Sequence, residues 1–265
     1  MLQLTGRDVR RIDQLLGECR ELGDDAFTWR FHLGEGLRDL IGADLVFCVE
    51  TGNCTGERPI DLGIAESGWE RGFNREGWLR AILEFQHNPF YSLGLRKYFE
   101  SLRKDDGVVQ SRKDLINNNE WEASFDRLVI HNTIGIDNVV WGFRSISGTV
   151  QEHSGVIALR EQGRCDFNNR EKIVLKEVMR QVADATGGSL SRFQDALPSQ
   201  LPPRTREVLR ALLEGDGDKQ IAQRLQLSRF TVNTHTKKIY NHFKVQGRTE
   251  LMARWIRRGW KIGDW

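Results

Sequence analysis

A chain of 265 residues exceeds the roughly 100–200 residues of one ordinary domain, so two unequal domains are expected. Its 39 % hydrophobic and 29 % charged content suits a globular protein. No apolar run reaches the roughly 18 residues of a membrane span, and the stretch Met1–Asp8 lacks the zones of a secretory signal, so a cytoplasmic protein without membrane contact is expected.

The net charge of +2 is unevenly spread. From Ser199 onward there are 14 Lys+Arg against 6 Asp+Glu, whereas residues 1–198 hold 25 against 31. A basic carboxyl-terminal part behind a mildly acidic one points to a polyanion that only the former meets. A lysine-rich solvated surface would look the same on charge alone.

In chain order, Val9, Ile12, Leu15, Leu16 and Cys19 recur at helical spacing, as do Phe31, Leu37, Leu40 and Ile41. Leu45–Val49 is a short apolar run closed by Gly52 and Asn53, which predicts a buried strand and a turn. Trp78, Leu79, Ile82, Leu83 and Phe85 predict a helix ending before Pro89. Leu128-Val129-Ile130, Asp137–Phe143 and Gly155–Arg160 are expected as strands, and a helix follows Asn168 or Asn169 as its cap. Helices on a mainly antiparallel sheet make an α+β domain. Gly187, Gly188, Pro198, Pro202 and Pro203 mark an interdomain joint: a sensor domain over 1–188, a linker over 189–200, and a final domain over 201–265.

Catalysis finds no support, since the chain lacks a G-x-S-x-G elbow, a P-loop, an H-E-x-x-H pair and a G-x-G-x-x-G turn. Cys19, Cys48, Cys54 and Cys165 form no C-x-x-C pair and are read as small buried hydrophobes, with no metal and no cofactor expected.

After Pro203 the apolar residues resolve into four helical segments. Val208, Leu209, Leu212 and Leu213 mark the first; Ile221, Ala222 and Leu225 the second; Val232, Ile239 and Phe243 the third; Leu251, Trp255 and Ile256 the last. Gln226-Leu227-Ser228 is a tight turn, so the second and third make a helix-turn-helix. The third would present Arg229, Asn233, Thr234, Lys237, Lys238 and Asn241, with no carboxylate between Arg229 and Phe243. Asn233, Thr234, Lys237 and Lys238 have groups that can read base edges. Lys219, Ser228, Thr231, Lys244 and Arg248 stand at helix ends or flanks, where cations and hydroxyls can hold phosphates, and Arg229 joins them.

The spacing of Arg206-Glu207-Val208-Leu209, Lys219-Gln220-Ile221-Ala222, Leu227-Ser228, Thr231-Val232, His235, Ile239-Tyr240, Phe243 and Arg248 resembles the LuxR-type helix-turn-helix signature. The resemblance implies a four-helix DNA-binding domain acting as a dimer on inverted or partly symmetric half-sites. It places Asn233, Thr234 and Lys237 at base-contacting positions and Lys219, Ser228 and Thr231 at backbone positions. His235 matches a position that is structural or meets phosphate. Pro202 replaces the family's usual threonine cap, and Gly217 its usual polar cap, with Asp218 expected to take over the second.

Upstream, no phosphate-receiver set of acids can be placed, and the chain has Asn88-Pro89-Phe90-Tyr91 but no Asp-Pro step of the kind around which lactone-binding regulators set their aromatics. Glu120-Trp121, Phe125, Gly135-Ile136-Asp137 and Phe167–Glu171 instead resemble the GAF-like (or PAS-like) sensor domains of other LuxR-type regulators. That likeness implies a sheet with a small-molecule pocket, for which Phe47, Trp78, Trp121 and Trp141 are the candidate lining residues. Plain core packing is the competing account of these aromatics. The function expected is a signal-responsive transcription regulator, with double-stranded DNA, a second copy of the chain, a small molecule and RNA polymerase as candidate partners. The alternative is a dimerising interaction protein that regulates a partner without specific DNA binding.

Overall fold

The computed structural model describes residues 4–54, 59–80, 92–147, 149, 151–193, 198–243 and 245–258. The chain divides into two compact units, Met1–Phe193 and Gln194–Trp265.

The first unit is α+β. Helices α1 (Gly6–Glu21) and α2 (Ala26–Ile41) are followed by strands β1 (Leu45–Gly52) and β2 (Ile60–Ser67). Helix α3 (Leu93–Leu102) and the short strand β3 (Val109–Ser111) come next, then β4 (Ile136–Ser145), β5 (Glu152–Glu161) and α4 (Asn169–Ala185). Each long helix begins where a polar side chain takes a free amide: Thr5 for α1, Asp25 for α2 and Asn168 for α4. The strands form one sheet in the order β2-β1-β5-β4-β3, antiparallel at every pairing.

Strand alternation sends side chains to two cores. Val46, Cys48, Val140, Val156 and Ala158 face α1, α2 and α4, meeting Ile12, Trp29, Leu37, Leu175 and Val178. Leu45, Phe47, Val49, Trp141 and Phe143 enter a second core with Trp78, Tyr98, Phe99 and Trp121. Because both faces of β1 are covered, Leu45–Val49 is apolar without a break, as its sequence suggested.

Several expectations are corrected. Leu128-Val129-Ile130 is not a strand; it lies in a π-helical turn over Asp126–His131, with Leu128 exposed and Ile130 buried. A segment that buries only one side has no need of strand geometry, despite its β-branched residues. The strands β2 and β3 escape the pattern: β2 is an edge strand interrupted by Gly63, and β3 has three residues. Val9 and Phe31, assigned to buried stripes, are exposed, and Cys165 is exposed while Cys19, Cys48 and Cys54 are buried. The helix expected from Trp78 is seen over 75–80, and the rest of it lies outside the described residues.

Residues assigned to the start of the linker are fastened to the first unit. The Ser191 carbonyl accepts from Trp29 Nε1 at 2.9 Å and from the Arg30 guanidinium at 3.0 Å, and its amide donates to the Gly23 carbonyl at 2.7 Å.

Among its described residues the second unit is helical: α5 (Pro203–Leu213), α6 (Asp218–Arg224), α7 (Arg229–Phe243) and α8 (Arg248–Arg258). They share a core of Val208, Leu209, Leu212, Ile221, Val232, Ile239, Phe243, Leu251 and Trp255. α5 starts at Pro203 with no side-chain cap, as a proline in the first turn permits. At α6 the capping acceptor is Gln220 Oε1, 2.8 Å from the Gly217 amide, rather than Asp218, which lies inside the first turn.

Candidate nucleic-acid interface

The helix-turn-helix depends on two local devices. Gln226 takes a left-handed backbone, φ 53°, which turns the chain sharply between α6 and α7. Two residues on, Ser228 Oγ accepts from the Thr231 amide at 3.0 Å and shares a hydrogen bond with the Thr231 hydroxyl at 2.8 Å, starting α7.

α7 has two opposed faces. Val232, Thr236, Ile239 and Phe243, spaced i, i+4, i+7 and i+11, are buried. Asn233, Thr234, Lys237, Lys238 and Asn241 are exposed on the other side, as is Arg229 at the start. Thr234 Oγ1 donates to the Phe230 carbonyl at 3.0 Å, which fixes its rotamer and leaves its remaining surface outward. His235 lies between the two faces and bonds the Thr205 hydroxyl through Nδ1 at 3.0 Å, tying α7 to α5. Its pKa is lowered by burial and then by the Lys238 and Arg204 cations, so this imidazole works as a neutral strut.

The cations fall into two groups. Arg224 pairs with Glu214 and Asp216, and Arg204 with Glu207. Among the described residues, Lys219, Arg229, Lys237 and Lys238 make no ion pair and are exposed. Uncommitted positive charge thus collects at the start of α6 and along α7. Arg248, expected at the phosphates, is turned inward: its guanidinium donates to the Leu212 carbonyl at 2.5 Å and the Asp216 carbonyl at 2.8 Å, closing the carboxyl end of α5. Lys244 lies outside the described residues.

One feature of this face escaped the sequence reading. Phe230 is 83 % exposed beside Arg229, on the same side as Asn233, Thr234 and Lys237. The signal was available, because Phe230 is a large apolar residue of α7 lying off the Val232–Ile239–Phe243 stripe.

The four candidate pocket residues are brought together. Phe47, Trp78, Trp121 and Trp141 all belong to the second core of the first unit. Phe47 stacks on Trp78 at 4.6 Å and on Trp69 at 5.8 Å, and both indole N–H groups donate to Glu66, at 3.0 and 2.9 Å. Tyr98 stacks on Trp141 at 6.0 Å and donates its hydroxyl to the Val108 carbonyl. Trp121 meets the edge of His131 at 4.8 Å, with the Arg112 guanidinium 5.2 Å from its ring. Trp121 Nε1 and His131 Nδ1 are buried and, among the described residues, have no hydrogen-bond partner. His131 is held neutral, its pKa pushed down to about 3 by burial and then by the neighbouring Arg127 cation. Among the described residues no group of three or more His, Cys, Asp or Glu is placed to hold a metal ion, and no helix is long and apolar enough to cross a membrane.

The monoamine regulon transcriptional regulator of Klebsiella aerogenes is 39 % identical over 61 residues, 23 % of this chain and 27 % of that protein. The nitrate/nitrite response regulator protein NarL of Escherichia coli K12 is 31 % identical over 85 residues, 32 % of this chain and 39 % of its own length. The chain therefore spans well under half of either relative. Escherichia coli SdiA, a solved structure, aligns over 94 % of this chain and 96 % of its own at 15 % identity, with a TM-score of 0.38. Residues 199–254 match the GerE profile, bacterial regulatory proteins of the luxR family, so the helix-turn-helix unit of this chain is a luxR-family domain.

Proposed function

We propose that the chain is a transcription regulator that places α7 in the major groove of double-stranded DNA and answers to a signal received by its first unit. One observation carries this: α7 buries one side in its own core and exposes, on the other, amide, hydroxyl and ammonium groups with no carboxylate among them. Asn233 offers the two-point pattern that adenine accepts, Lys237 and Lys238 donate to guanine, and Thr234 offers a methyl to thymine. Lys219, Ser228, Arg229 and Thr231 hold phosphates on either side, with Lys244 following α7 in the sequence. Arg248 drops out of that set, since its guanidinium is committed to carbonyls of α5 and the following turn.

The protein works as a homodimer in the cytoplasm, its two recognition helices matched to half-sites about one helical turn apart, with RNA polymerase as the downstream partner. The first unit acts as a GAF-like sensor. Its antiparallel sheet with helices packed on it, and a second core in which Phe47, Trp78, Trp121 and Trp141 gather near two unpartnered ring nitrogens, support binding of a mainly apolar small molecule there.

The test is fluorescence anisotropy of the full chain on duplexes enriched from a random pool, repeated across salt concentrations. Affinity should fall steeply with salt, with a log–log slope of about −0.9 per neutralised phosphate. Lys237→Ala should cost about 1–3 kcal/mol on an enriched duplex and much less on a scrambled one. An equal loss on both would assign Lys237 to the backbone. Failure of the wild-type chain to enrich any duplex would overturn the DNA-binding role itself.

A further inference from the structure

Phe230 lies on the centre line of the exposed side of α7. With Thr234, Lys237 and Asn241 it repeats the i, i+4, i+7, i+11 pattern of the buried Val232, Thr236, Ile239 and Phe243, displaced by two residues. Two residues of helix rotate the line by about 200°, so the two sets point in nearly opposite directions. The ring is 83 % exposed, the most exposed large hydrophobic side chain among the described residues. The neighbours on its own side are polar or cationic: Arg229, Asn233, Thr234 and Lys237.

An apolar ring amid uncommitted cations is a poor match for most surfaces. A hydrophobic protein partner would have to desolvate Arg229 and Lys237, and an acidic one would offer nothing to the ring. The major groove of DNA meets both demands at once. Phosphates flank it on both sides, and its floor carries a single apolar group, the 5-methyl of thymine. The first turn of a recognition helix is also the part that reaches the base edges.

We propose that Phe230 is a specificity-determining residue that reads a thymine by packing its ring on the 5-methyl group. This role rests on the DNA-binding function proposed above. Phe230 thereby adds an apolar contact to the polar readout by Asn233 and Lys237, and it favours T over C at one position of each half-site. C shares the pyrimidine ring and lacks the methyl.

The experiment uses the full-length chain and a duplex pool with a randomised core of about 20 base pairs, two turns of B-DNA. The wild-type chain and Phe230→Ala are each taken through selection. On the best wild-type duplex each thymine is then replaced, one at a time, by deoxyuridine, which removes the methyl and keeps the base pair. Apart from a thymine read by the Thr234 methyl, whose penalty Thr234→Ser removes, one position per half-site should weaken wild-type binding about fourfold, the contribution of one methyl-sized apolar contact. Phe230→Ala should bind the parent and the deoxyuridine duplex equally, and its selected sites should lose the thymine at that position. Phe230→Leu should restore part of the discrimination. Because the ring is exposed, the thermal midpoint of Phe230→Ala should match the wild type, which separates lost readout from lost folding. Enrichment of a duplex whose binding no deoxyuridine weakens, or in which every deoxyuridine penalty persists in Phe230→Ala, overturns the assignment while leaving DNA binding intact. Absence of any enriched duplex overturns both.

Discussion

Glu50 lies mid-strand in β1 with 0 % exposure, and its carboxylate is met from three directions. Arg30 donates to it at 2.8 Å, Arg192 at 2.7 Å and the Phe193 amide at 3.1 Å, while the Arg30 guanidinium stacks 4.0 Å from the Trp29 ring and 4.3 Å from that of Phe193. Removing one member leaves an uncompensated buried charge, so Glu50→Leu should destabilise the first unit by about 3–5 kcal/mol, measured as a lower urea midpoint. It should also release residues 191–193, seen as faster amide exchange there. His131 carries a different signature. An unfolded histidine takes up a proton near pH 6.5, whereas this one resists until about pH 3, so the unfolded chain binds more protons in between. Stability of the first unit should therefore fall as pH drops from about 6.5 toward 3, and His131→Gln should flatten that slope in urea titrations. An unchanged slope would mean that other groups, His153 among them, account for it.

Turn chemistry matters most at the element scale. Gln226 occupies a left-handed conformation that costs a residue with a Cβ about 1 kcal/mol or more, and glycine much less. Gln226→Gly should raise the stability of the second unit by up to about 1 kcal/mol, read from its thermal midpoint, without altering DNA affinity at saturation of folding. A fall would show that the turn relies on the Gln226 side chain. The same scale explains which elements were legible in the sequence. Helices α1, α2, α4, α5, α6 and α7 announce themselves through a one-sided apolar stripe, α4 through its Asn168 cap as well, and β1, β4 and β5 through apolar runs. The edge strand β2 has no such run, because Asp61 and Gly63 interrupt it and its pairing with β1 is shifted at Glu50/Thr51. Leu128–Ile130 misleads in the other direction: composition suggests a strand, and one-sided packing makes a π-helical turn.

At the scale of the whole chain, the described residues form three hydrophobic cores, two in the first unit and one in the second. Leu209 is fully buried in the third core, so Leu209→Ala should cost about 2–5 kcal/mol there and lower one calorimetric transition while sparing the other. A single transition moving as one would show that the units unfold together. The sequence by itself determined the helix-turn-helix and its outward polar residues, because helical periodicity, caps and turn residues act over a few neighbours and need no distant partner. Only the tertiary structure decided that Arg248 points into its own domain, that Ser191 and Arg192 are sewn to the first unit, and that Phe47, Trp78, Trp121 and Trp141 share one core. These outcomes depend on contacts between residues as far as 162 positions apart, which no local pattern encodes. Phe230 lies between the two cases: its type and spacing are plain in the chain, and its exposure became meaningful only once the opposite side of α7 was seen to be filled.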